Sequence, residues 1–199
     1  MPLASLLPEK MPLLDELQGI DLETLDEIGS LEWPVRRLEL QGTRRPKPAT
    51  GLPKVAEVEF ETRMGWSETI ELLEPSGLLE RIRRLELFPQ PGVGVTQALE
   101  AFDRLPASLR ELRLTGETYT CSTLVREQGA PAITIEVDSF GLERVLAELA
   151  GFPRDRFSSL ELVLSASGFF TKQSRPRAEA AARQVLERFA NAKLTSERR

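Results

Sequence analysis

An apolar residue followed by apolar residues three and five positions later recurs six times along this chain. The copies are Val35-Leu38-Leu40, Val55-Val58-Phe60, Ile82-Leu85-Leu87, Leu109-Leu112-Leu114, Ala130-Ile133-Ile135 and Phe157-Leu160-Leu162. Their middle members are separated by 20, 27, 27, 21 and 27 residues. A near-regular period of this length limits the possible folds sharply, because a unit so short buries its apolar side only against its neighbours. Within each copy the last two apolar residues alternate with polar ones, the pattern of a strand with one buried face. Helical patterns lie between the copies. Thr96 can cap a helix with Leu99, Phe102 and Leu105 on one side, and Leu142, Val145, Leu146 and Leu149 stand at i, i+3, i+4 and i+7. A further helical stretch is expected over Ile70 to Leu79, broken by Pro75 and Gly77. Strands alternating with helices predict an α/β fold of parallel strands joined by crossovers.

The 199 residues suit one domain, 1–199, and at 41% hydrophobic they supply a core without disulfide or metal. Three regions are expected within it: an acidic helical N-terminal cap (1–34), the repeat array (35–170) and a basic C-terminal helix (171–199). Leu14, Leu17, Leu25 and Ile28 recur at helical offsets, and Asp21 after Gly19 is a plausible cap, so Leu13 to Leu31 predicts two short helices or one broken one. Residues 175–193 predict a helix capped by Ser174, with Ala178, Ala181, Val185, Phe189 and Ala192 on one side. Gln41 to Lys54 holds Pro46, Pro48, Gly51 and Pro53 and reads as a loop. The net charge of −5 is polarised: residues 1–35 sum to −7 and residues 172–199 to +5. Such ends invite weak head-to-tail self-association, or are two solvated caps.

The six triples, with strands at their centres and helices between, resemble the leucine-rich repeat superfamily, whose units begin Leu-x-x-Leu-x-Leu. The resemblance spans about 35–165 and implies a curved solenoid of about six parallel strands with connecting helices and helical caps. The family places Asn or Cys three residues after the last Leu, where it bonds backbone groups of neighbouring turns. Here those positions hold Thr43, Arg63, Gln90, Glu117, Asp138 and Ser165, so the array is degenerate; Thr43, Asp138 and Ser165 are the available substitutes. The alternative is an ordinary open α/β sheet.

On the repeat reading, the residues flanking the inward apolar positions form three outward columns about 4.8 Å apart from strand to strand. The first is Arg37, Glu57, Arg84, Glu111, Ala132, Ser159; the second Glu39, Glu59, Glu86, Arg113, Thr134, Glu161; the third Gln41, Glu61, Phe88, Thr115, Glu136, Val163. Alternating signs in the first column favour register. Successive glutamates in the second repel unless a partner compensates. The expected function is therefore noncatalytic protein–protein interaction: a concave acidic sheet face binding a basic protein partner, as scaffold, regulator or immunity-type neutraliser. The residues expected at that surface are Glu39, Glu59, Glu61, Glu86, Phe88, Arg113 and Glu136. Nucleic acid would be repelled by it.

Catalytic chemistry is poorly supplied. The chain has no His and one cysteine, Cys121, which therefore lacks an imidazole base and an intramolecular disulfide partner. Gly92-Val93-Gly94, between a strand and a helix, is the context in which a turn can cradle phosphate, but Gln97 stands where a third Gly belongs, and no Walker-type motif exists. No cofactor and no metal are expected. The enzyme alternative is a carboxylate-dependent hydrolase, or a cation-binding protein, using Glu39, Glu57, Glu59, Glu61 and Glu86. No apolar run approaches a membrane span, and Met1 to Lys10 lacks a signal-like pattern, so a soluble, cytoplasmic protein without membrane association is expected.

Overall fold

The computed structural model describes residues 16–21, 37–42, 57–62, 69–71, 79–80, 82–90, 94–116, 120–165 and 170–196. The elements in chain order are β1 (Glu16–Asp21), β2 (Arg37–Gly42), β3 (Glu57–Thr62), β4 (Ile82–Gln90), α1 (Val95–Arg104), β5 (Glu111–Gly116), β6 (Cys121–Val125), β7 (Ala132–Val137), α2 (Leu142–Gly151), β8 (Ser159–Leu164), α3 (Ser174–Leu186) and β9 (Ala192–Ser196). The fold is α/β, mostly parallel and open. It comprises two compact units, one of Met1–Phe88 with Leu105–Arg110, the other of Pro89–Arg104 with Glu111–Arg199.

In the first unit β1, β2, β3 and β4 follow one another in chain order, each parallel to the next. Three of the six sequence triples thus become neighbouring strands. β2 and β3 align in the expected register, with Arg37 opposite Glu57, Glu39 opposite Glu59 and Gln41 opposite Glu61. Between β3 and β4 the register slips after Val58, so that Phe60 faces Leu85, Glu59 faces Arg84 and Glu61 faces Glu86. The expected columns are therefore displaced at β4. From Glu59 onward the displacement from those columns is two residues, which keeps these residues on their faces of the sheet, because side chains alternate with period two.

Residues 16–21 form a strand where helix was expected; the rest of Leu13 to Leu31 lies outside the described residues. Of the four apolar residues behind that expectation, Leu17 is described, and it lies in the β1–β2 ladder. Leu17 faces Leu38 and Ile20 faces Leu40, with an irregularity between them. An extra residue in a strand lengthens its apolar spacing from two to three, which imitates a helical offset. Of the stretch Ile70 to Leu79, residues 70 and 71 are helical and 72–78 lie outside the described residues, as do Thr43 and Arg63.

The second unit departs from a purely parallel array. β5, β7 and β8 are the strands expected from the last three triples, but β6 stands between β5 and β7, antiparallel to both. β7, β8 and β9 then run parallel. Leu112, Leu114, Leu124, Ile133, Ile135, Leu160 and Leu162 are buried on one face. Against that face lie Leu99 and Phe102 of α1, Leu142, Val145 and Leu149 of α2, and Ala182 and Leu186 of α3, and the helices pack α1 on α2 and α2 on α3.

Two helix expectations are adjusted. α1 begins at Val95, one residue before the expected cap, although Leu99, Phe102 and Leu105 are buried as the spacing required. α3 stops at Leu186 and buries Ala182 and Leu186, while Ala181 is exposed and Ala178 and Val185 are half-buried. Its N-terminus is closed reciprocally, the Ser174 N–H donating to Thr171 Oγ1 (3.0 Å) and the Thr171 N–H to Ser174 Oγ (2.9 Å). Ala192 and Lys193, expected in the helix, begin β9 instead, where Leu194 aligns with Leu162 and extends the apolar layer by one strand.

Candidate functional site

The seven residues expected at the binding surface fall into both units. Glu39 on β2, Glu59 and Glu61 on β3, and Glu86 and Phe88 on β4 belong to the first; Arg113 on β5 and Glu136 on β7 belong to the second. Register brings Glu39 beside Glu59 and Glu61 beside Glu86. It also replaces the expected Glu59–Glu86 neighbours by Glu59–Arg84, so the run of like charge ends in a guanidinium. Arg84 in turn lies 3.8 Å from the Glu86 carboxylate. Glu16 and Asp21 of β1 align with Arg37 and Gln41 on this same face. Neighbouring strands lie about 4.8 Å apart, so the four glutamates form two adjacent like-charge pairs, each destabilising in isolation.

Arg113 and Glu136 have different surroundings from those expected. β6 intervenes, so Arg113 aligns with Thr123, and Thr123 with Thr134. Arg113 Nε–H donates to the Cys121 sulfur (3.2 Å), and the Thr115 hydroxyl approaches it at 3.8 Å. Cys121 is itself buried, and Glu136, its register partner on β7, is exposed. Across this side the charges are interleaved with Thr123, Thr134 and Thr195 rather than massed.

A further ion pair of the second unit joins β8 and β9. Glu161 on β8 accepts from Lys193 Nζ (2.8 Å) and the Thr195 hydroxyl (2.6 Å), both on β9. The Lys193 ammonium and the Thr195 hydroxyl hold the Glu161 carboxyl below the usual carboxylate range, against a small opposing effect of burial. The sequence marked Glu161 as an outward carboxylate; its partner was missed because Lys193 was assigned to a helix.

The start of α1, considered above as a phosphate cradle, is filled from within. Glu148 of α2 accepts from the Thr96 N–H (3.0 Å) and the Thr96 hydroxyl (3.3 Å), and Arg144 Nε–H donates to its other oxygen (3.0 Å). Gln97 Oε1 accepts from the Gly94 N–H. A carboxylate thus occupies the electropositive helix end where an anion would bind. Gly94 allows this approach, since a Cβ there would overlap the Glu148 carboxylate. Glu148 sits 52 residues away in sequence, and no local spacing signals it.

Asp138, one of the expected substitutes for the family's asparagine, is buried and accepts from the Phe140 and Gly141 N–H groups (both 2.9 Å). Its carboxylate closes the turn into α2. The Ser165 N–H donates to Val137 O across neighbouring strands.

Among the described residues, no group of three His, Cys, Asp or Glu is arranged to hold a metal ion, and no helix is long and apolar enough to cross a membrane. Among the described residues of the second unit, one shallow groove opens around Phe157, Phe189, Arg154 and Asn191 and another between α3 and β9. No family model, curated protein or solved structure matches the chain.

Proposed function

We propose that this protein is a noncatalytic protein-interaction module, leucine-rich-repeat-like in its β units, that binds a basic protein partner through the acidic positions of β2, β3 and β4. The observation supporting this reading is the pairing of Glu39 with Glu59 and of Glu61 with Glu86 on adjacent strands. Like charges placed side by side lower stability. A cationic partner relieves that repulsion on docking and is steered toward it beforehand. Phe88, two residues after Glu86 on the same strand, is the apolar residue proposed as an anchor. A partner-directed role also fits a chain without histidine, in which the helix end most suited to phosphate already holds a glutamate.

The test is affinity capture from native lysate with three baits: the wild type, Glu59→Lys/Glu86→Lys and Glu136→Lys. The expected result is a basic protein retained by the wild type and lost by the double variant, with salt-sensitive binding. Retention by Glu136→Lys confines the surface to the first unit, whereas loss extends it to the second. A partner that survives the double variant eliminates the acidic surface.

A further inference from the structure

We propose that the free edge of β9, with the groove between α3 and β9, receives the β1 edge of a second copy of this chain, so that copies add head to tail. The proposal is independent of the partner reading above.

Among the described residues β9 pairs only with β8. The Leu160 N–H donates to Asn191 O at the start of that ladder. In a parallel ladder alternate residues serve opposite neighbours, so Lys193 and Thr195 also turn their backbone groups to β8. Ala192, Leu194 and Ser196 then turn theirs to the free side. Beside that edge lies a groove of about 380 Å³ floored by Leu186, Phe189, Ala192 and Leu194, with Arg183 and Glu187 at its rim. Leu194 is half-buried there, and among the described residues no further strand pairs with β9. An unpaired backbone edge continuous with an apolar groove is a template for one more strand.

Charge and direction select the occupant. β1 pairs only with β2 among the described residues, and every pairing of β1 to β4 and of β7 to β9 is parallel. A β1 strand laid along β9 in the same direction continues that order without a reversal. β1 holds Glu16 and Asp21 and no cation, whereas the edge it would meet carries Lys193 and Arg183, whose side chains are 70% and 67% exposed. The surrounding segments repeat the contrast, −7 over residues 1–35 against +5 over 172–199. Leu17 and Ile20 occupy the apolar register positions of β1 and match the apolar groove. The interface joins two different surfaces, so it is heterologous.

Sedimentation velocity of the full chain tests this, at about 50 mM and about 500 mM salt, where screening lengths differ severalfold. The expected mass at low salt rises with concentration above the 22.3 kDa of one chain and returns to it at high salt. Ala192→Pro removes an N–H from the free edge only, and Leu194→Lys places a charge in the groove; each should abolish the rise. Glu16→Lys/Asp21→Lys should abolish it from the other side. The decisive measurement mixes Ala192→Pro with Glu16→Lys/Asp21→Lys. One retains an intact β1 and the other an intact β9, so the mixture should form a 1:1 complex although neither associates alone. A wild type that stays monomeric at low salt overturns the proposal, as does association that survives both β9 variants.

Discussion

Two connections of nearly equal length separate the units of this molecule. From Leu38 to Val58 the chain advances 20 residues and the strands become parallel neighbours; from Leu112 to Ile133 it advances 21 and a third strand, β6, lies between. Spacing therefore fixes where strands fall without fixing what joins them. Composition makes the difference. The first connection is dominated by Pro46, Pro48 and Pro53, which cannot donate to a ladder. The second holds Tyr119, Thr120, Thr123 and Val125, good strand formers, and closes through Gly129 at φ 96°. The same contrast divides the surfaces: β2, β3 and β4 bring glutamates side by side, whereas the second unit interleaves charge with threonine across β5, β6 and β7 and pairs Glu161 with Lys193 across β8 and β9.

The comparison is broken most directly at β6. If the meander is as integral to the second unit as the parallel neighbours are to the first, truncating its inward leucine should cost as much as truncating a leucine of β5. Leu124 and Leu112 are both fully buried and face each other across the ladder. Leu124→Ala and Leu112→Ala are each expected to destabilise by about 2–5 kcal/mol in urea unfolding. A loss below about 1 kcal/mol at Leu124 would make β6 a dispensable insertion.

The contrast also explains what was legible in the sequence. The second and third members of all six triples lie in strands, because a Leu-x-Leu alternation reports a half-buried strand whatever its neighbours are. Helices α1 and α2 were legible because Leu99, Phe102, Val145 and Leu149 repeat with the helical period. β6 was not, because its inward positions are Ser122 and Leu124 while Cys121 and Val125 point the other way, which erases the alternation. The bulged spacing in β1 and the late strand β9 were hidden by neighbouring helical patterns. Of the candidate surface, membership of strands was legible and register was not: from Glu59 onward β4 stands two residues from its expected register, which preserves the inward and outward assignments there while exchanging Glu86 for Arg84 beside Glu59. Contacts such as Glu148 with Thr96 depend on tertiary packing alone.

That contact sharpens the comparison next, since it places a carboxylate on the N–H groups of a helix end rather than beside another carboxylate. Glu148→Ala leaves the first turn of α1 without its acceptor and should cost about 1 kcal/mol. Gly94→Ala should cost about as much, because the new Cβ displaces the Glu148 carboxylate. The double variant is expected to be no worse than Glu148→Ala alone, and slightly better if the backbone of residue 94 suits alanine. Additive losses in a thermal double-mutant cycle would show that Gly94 is required for another reason.

The smallest expected effect lies at Glu161, and its sign follows from its surroundings. A carboxylate whose pKa is lowered in the folded state contributes stability that is present above the ordinary carboxylate range and disappears as pH falls through the lowered value. Lys193 and Thr195 lower that of Glu161, and both belong to β9, so the contribution is a tether on the last strand. The pair is partly exposed, with Glu161 at 32% and Lys193 at 70%, which limits it to about 0.2–1 kcal/mol. Glu161→Gln is therefore expected to lower stability slightly at neutral pH and not at pH 2, and to raise amide exchange in β9 more than in β7. Equal loss at both pH values would assign the effect to packing. Equal exchange in the two strands would mean that β9 is held by Leu194 against Leu162 rather than by charge.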